Sequence, residues 1–259
     1  MGRHQKRSRN SYSVALVVGV SLIVVARTVG PAPDLPRSCT SITVVSSSEK
    51  AALLEDIAAA YADQRRTVGS TCGAARVVAK SSGDAATDLA AGWDEKADGP
   101  RPDVWTPVTS SWLQIVHQRL ANGDVPQLIP EQVGHVASGP LVIAMPRPMA
   151  EAMGWPQKQI GWRDLFDLAQ DPHGWARYGH PEWGAFKLGK TNPNFSTSGL
   201  NALIGEYYAA TGTSSDLTVD TIHEPRVVRF VQGVESSVVH YGDISITFLE
   251  NLQIGRAHV

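Results

Sequence analysis

The sequence predicts an α/β protein with parallel sheets, and three observations predict it. A short β run, a hydroxyl-rich loop and a helical pattern follow one another in that order at residues 42–64, 76–91, 103–120 and 186–208. Strands that alternate with helices pair in parallel through right-handed crossovers. The chain of 259 residues is 42% hydrophobic, which suits one large domain or two smaller lobes. No fixed-period repeat, low-complexity tract or heptad pattern competes with this reading.

The chain opens with a basic leader, residues 1–10, carrying Arg3, Lys6, Arg7 and Arg9. An uncharged apolar run follows at 11–26. A membrane span needs about 20 apolar residues. With Arg27 snorkelling and Val29 and Gly30 added, residues 11–30 reach that length. Basic residues before the span hold the start in the cytoplasm and put the folded part outside. The segment reads as a transmembrane anchor, with a cleaved signal peptide and a secreted product as the competing reading. Cleavage sites are poor, because Arg27, Pro31 and Pro33 interrupt them. Residues 31–38, with Pro31, Pro33 and Pro36, read as a stiff linker.

Cys39 and Cys72 are the two cysteines of the chain. Each lies a few residues before a β run, at 42–45 and 76–79. If those strands are parallel neighbours, their starts adjoin and a disulfide joins them. Outside the cell such a bridge persists.

Lobe one is expected at 39–137. Its first strand, 42–45, runs into Ser46 and Ser47, and a helix over 49–64 carries Leu53, Leu54, Ile57, Ala58 and Tyr61 on one face. The second strand, 76–79, runs into Ser81 and Ser82, followed by a helix over 84–91. The third, 103–105, meets Thr106 and then a helix over 112–120. Residues 122–140, rich in Gly and Pro, read as the crossing to lobe two, expected at 138–253. There, 141–145 reads as a buried strand ended by Pro146, with helices over 149–153, 162–168 and 225–232. Residues 171–184 read as a loop whose Trp175, Tyr178 and Trp183 form local core.

Parallel sheets bind ligands beyond the carboxyl ends of their strands. All three hydroxyl-rich loops of lobe one therefore fall on one rim. In lobe two, 186–190 reads as a strand, and Asn192 and Asn194 form a polar loop before a helix starting near Thr197 and Ser198. Ser and Thr at a helix start satisfy free backbone N–H groups, and the positive helix end receives anions or polar groups. The candidate ligand-binding set is Ser46, Ser47, Ser81, Ser82, Thr106, Asn192, Asn194, Thr197 and Ser198.

Other chemistries have weaker support. A net charge of −2 argues against a nucleic-acid footprint. Residues 184–191 formally fit G-x-x-x-x-G-K-T, but 185–188 reads as strand and Pro193 interrupts any helix after the lysine. Asp243, Ser245 and Thr247 resemble a metal-binding D-x-S-x-S without the further ligands that motif needs. The histidines lack zinc spacing, and no G-x-S-x-G elbow marks a hydrolase. No cofactor and no metal is implied.

The stretches 161–165 (GWRDL), 184–193 (GAFKLGKTNP), 196–200 (STSGL) and 240–243 (HYGD) carry a family likeness. The chain resembles extracellular solute-binding proteins of the type 2 periplasmic-binding fold over about residues 40–252. In particular it resembles surface proteins of high-GC Gram-positive bacteria in which such a domain precedes a von Willebrand factor A domain. The resemblance implies two α/β lobes closing on a small polar or anionic solute, without catalysis, and leaves surface protein partners open. A scaffold with a degenerate cleft is the alternative, and an exported hydrolase the third reading. The resemblance also implies that lobe two is incomplete, since the family's chain returns to lobe one after about Leu252. Residues 254–259, IGRAHV, read like the in-frame translation of sequencing-adapter DNA and are expected to be foreign.

Overall fold

The computed structural model describes residues 39–121, 129–130 and 133–253. The expected leader, span, linker and adapter-like tail lie outside the described residues. Among the described residues no helix is long and apolar enough to cross a membrane.

The first half is a four-stranded sheet in the order β2-β3-β1-β4. Strand β1 (Cys39–Ser46) leads into helix α1 (Ser48–Asp63), then β2 (Thr67–Val68) and β3 (Thr71–Ala79). Next come α2 (Ser82–Ala91), the short α3 (Glu95–Asp98), β4 (Val104–Thr106) and α4 (Ser111–Ala121). Both β3 and β4 pair with β1 in parallel. The three expected strands are present. The two-residue β2, antiparallel to β3, is an addition too short for periodicity to show.

Alternation along the strands splits the sheet's faces. Val45 faces a core with Ala85, Ala86 and Leu89 of α2 and Trp112, Val116 and Leu120 of α4. The other face carries α1 and is open. Ile42, Val44, Leu54, Ile57 and Val77 line a groove of about 610 Å3 there. Leu53 and Ile57, expected on an apolar packing face, are 62% and 54% exposed, and Ala51 is the buried residue of α1.

Cys39 and Cys72 are register partners at the start of β1 and β3 and form a disulfide. The parallel pairing alone brings their Cα atoms to 4.6 Å, inside the range a disulfide spans.

The second half contains α5 (Arg147–Ala152), α6 (Trp162–Ala169), two 3-10 turns and β5 (Leu188–Thr191). It continues through α7 (Thr197–Thr211), α8 (Val219–Ile222), α9 (Pro225–Glu235), β6 (Val238–Gly242) and α10 (Ser245–Gln253). Its sheet is the parallel pair β5–β6. Phe166 of α6 stacks on Phe230 of α9 at 4.6 Å between centroids. Trp175 is buried with Leu165, Leu168 and Met153, so the aromatics of 171–184 are local core as expected.

The expected strand at 141–145 is corrected: the segment is irregular, and Leu141 and Val142 are 47% and 70% exposed. A strand needs a neighbour to bond its backbone, and neither described sheet pairs with this run. Only Ile143 and Met145 turn inward, onto the Trp175 cluster.

Candidate functional site

The sheet topology gathers the first group of candidate residues. Ser46 and Thr106 are register partners at the carboxyl ends of β1 and β4, and Ser46 is opposite Ala79 of β3. Ser47 and Ser81 are the N-cap positions of α1 and α2. Ser46, Ser47, Ser81 and Ser82 are all buried. The rim is tied by backbone bonds from Lys80 N to Ser46 O at 2.8 Å and from Ser47 N to Thr106 O at 3.4 Å. Ser82 Oγ accepts from Val108 N at 3.3 Å.

The capping expectation holds at one of the three helix starts. Ser81 Oγ accepts from Asp84 N and donates to Asp84 Oδ2 at 2.6 Å. Ser47 makes no capping bond, and its buried Oγ has no partner. Helix α7 has Ser196 as its N-cap, again without a side-chain cap. Ser196 Oγ instead meets Ser198 Oγ at 3.0 Å.

From the second half, the start of α7 reaches the same rim. Trp112 Nε1 donates to Thr197 Oγ1 at 2.8 Å. Gly83 N donates to Phe195 O at 3.0 Å. Leu200 packs onto the first half's core. Gly83 is required by close approach, because a Cβ there would lie 2.0 Å from the carbonyl oxygen of Asn194. Gly199 is required for the same reason, with Thr191 O at 2.1 Å from its ideal Cβ.

The remaining candidates build the loop that makes these contacts. Asn192 Oδ1 accepts from Asn194 N at 2.9 Å and Asn194 Nδ2 at 3.1 Å, a turn closed by the side chain. Ser198 Oγ shares bonds with Thr191 and Ser245, each at 2.7 Å. Asn192 and Ser198 thus fasten the α7 loop to its own half, whereas the Asn194 backbone lies against Gly83 of the first half. Thr197 makes the contact between halves, Ser82 directly precedes Gly83 in it, and Ser46, Ser47, Ser81 and Thr106 lie at the carboxyl edge of the first half's sheet.

Sequence reasoning missed Trp112, Gly83 and Lys50 at this rim. Lys50 Nζ donates to Thr106 Oγ1 at 2.7 Å and to Pro107 O at 2.9 Å. Burial lowers its pKa from the ordinary 10.5, and neighbouring Glu49 partly opposes the shift. A lysine in the first turn is disfavoured by the helix dipole, and that was the available signal.

It also missed a buried ionic cluster behind the α7 loop. Lys190 of β5 bonds Glu206 Oε1 of α7 at 2.6 Å and also Glu235 of α9, which Tyr241 of β6 bonds in turn. Burial foremost pushes Glu206 up to about 8, with Glu235 adding to the rise and Lys190 opposing it. Burial works against ionisation of Glu235 too, but the bonds from Lys190 and Tyr241 outweigh it and its pKa falls. Lys190 and Glu206 are 6% and 0% exposed. The lysine that tempted a phosphate-loop reading is therefore an internal tie between β5, α7 and α9. Among the described residues no group of His, Cys, Asp and Glu is arranged to hold a metal ion.

The profile described as bacterial extracellular solute-binding protein covers residues 42–259. No curated protein matches the chain.

Proposed function

The chain belongs to the bacterial extracellular solute-binding proteins, and from that premise we propose that it captures a small polar or anionic solute between two α/β lobes in a type 2 periplasmic-binding arrangement. The two halves are the lobes, and the protein acts by binding, without catalysis. The observation that supports this best is the convergence at one rim of Ser46, Ser47, Ser81, Ser82 and Thr106 with the uncapped start of α7. Hydroxyls and positive helix ends suit a ligand with polar or anionic oxygens. In this reading residues 11–30 tether the binder to the outer face of the cell membrane.

A thermal-shift panel of oxyanions, sugars and peptides on the full chain tests the proposal. One class should raise the unfolding temperature in proportion to the logarithm of its concentration.

A second reading has its own observation. The bonds from Trp112 to Thr197 and from Gly83 to Phe195 join the halves directly. Such contacts also suit a scaffold whose cleft no longer takes a solute. A flat response across the whole panel would favour that scaffold.

A further inference from the structure

Lys50 lies three residues after Ser47, in the first turn of α1. Both residues meet Thr106: the Ser47 backbone N–H bonds its carbonyl, and the Lys50 ammonium bonds its hydroxyl. The acceptors of Lys50 are neutral oxygens, Thr106 Oγ1 and Pro107 O. Lys80, Lys158 and Lys190 each face a carboxylate, whereas among the described residues no ion pair includes Lys50. An ammonium has three donors, so two protein acceptors leave one to give. One helical turn before it in the sequence, Ser47 is 0% exposed and its hydroxyl has no partner.

A half-buried cation whose hydrogen-bond acceptors are both neutral and a buried hydroxyl without a partner both carry a desolvation cost. The cation also stands at the positive end of a helix, where the dipole opposes it. One negatively charged oxygen at this point would offset all three.

We propose that Lys50 and Ser47 form the anion end of the solute site, holding a phosphate or carboxylate oxygen between the ammonium and the hydroxyl at the start of α1. The proposal rests on the reading of the rim as the solute cleft and deepens it. Lys50 becomes the residue that selects anionic over neutral solutes. Charge-assisted bonds are the strong ones in such sites, and arginine keeps the positive charge of lysine.

The test uses the full chain, with sodium phosphate, sodium acetate and glucose as probes at matched ionic strength. Thermal unfolding is followed for the wild type, Lys50→Met and Lys50→Arg, each referenced to its own unfolding in sodium chloride. That reference removes any purely structural effect of untying α1 from Thr106. The expected result is stabilisation by phosphate or acetate and none by glucose. Lys50→Met should weaken the anion by about tenfold, and Lys50→Arg should retain most of the affinity. Equal anion affinity in Lys50→Met would overturn the assignment while leaving the cleft reading in place. Absence of any anion response in the wild type would also overturn it. The cleft reading itself falls only if the sugars and peptides of the wider panel fail as well.

Discussion

The indole Nε1 of Trp112 donates to Thr197 Oγ1 at 2.8 Å, joining two residues 85 positions apart. Trp112 is 2% exposed and Thr197 4%, so neither group has water as an alternative. Thr197→Val keeps the shape and strands the indole N–H. It should cost about 1–3 kcal/mol in urea unfolding. Because the two residues share one bond, Trp112→Phe with Thr197→Val should cost less than the sum of the single changes. Strict additivity would show that the bond does not form in solution.

Gly83→Ala should force the same contact apart from the backbone side. The new methyl would meet the Asn194 carbonyl, and backbone cannot swing away as a flexible side chain can. A loss of about 1–3 kcal/mol is expected, with a changed near-ultraviolet signal from the tryptophans. Gly134→Ala, with nothing within 4 Å, should stay within about 0.5 kcal/mol of wild type. Equal effects from the two changes would contradict the close approach.

The Cys39–Cys72 bridge joins residues separated by 33 positions. Chain entropy for a loop of that order gives about 3–4 kcal/mol. The double change to serine should lower the denaturation midpoint accordingly. Non-reducing peptide mapping of exported protein should recover the two cysteines as one linked peptide. Two free thiols would refute the pairing.

The Lys190 cluster should give stability a pH dependence in two windows. Glu206 has its folded pKa raised from 4.5 to about 8, so the folded state holds a proton the unfolded chain has released. Its contribution is complete below the unfolded value and declines as pH rises from about 4.5 to about 8. Glu235 is lowered, so its contribution is present above the unfolded value and lost as pH falls through the folded one. Glu206→Gln should therefore flatten the upper window and leave the acid limb in place. A profile of unfolding free energy against pH checks this, and an unchanged slope in Glu206→Gln would contradict it.

Much of the first half was legible in the sequence. Short β runs ending in serines marked β1 and β3, and their parallel register follows from the alternation with helices. That register made the disulfide readable from two cysteine positions. The run at 141–145 misled, because an apolar composition signals burial while a strand also requires a partner for its backbone. The ionic cluster was hidden because Lys190 meets Glu206 and Glu235 only through tertiary folding. A signal existed on α7: Ala202, Glu206 and Ala210 recur every four residues and are all buried, which places a carboxylate on a core-facing stripe. The serine caps were over-read. Composition marks a helix start, but whether the hydroxyl caps it depends on local rotamers and neighbours, as Ser47 and Ser81 show.

The central claim is that a small solute binds at the rim between the halves, beside Ser47. The most direct test is native mass spectrometry of the full chain purified gently from its producing cells, compared with Ser47→Glu. The account predicts a bound small-molecule mass on the wild type that is absent from the variant, because a carboxylate at the start of α1 would occupy the place of the solute's oxygens. An adduct retained in full by Ser47→Glu would contradict it.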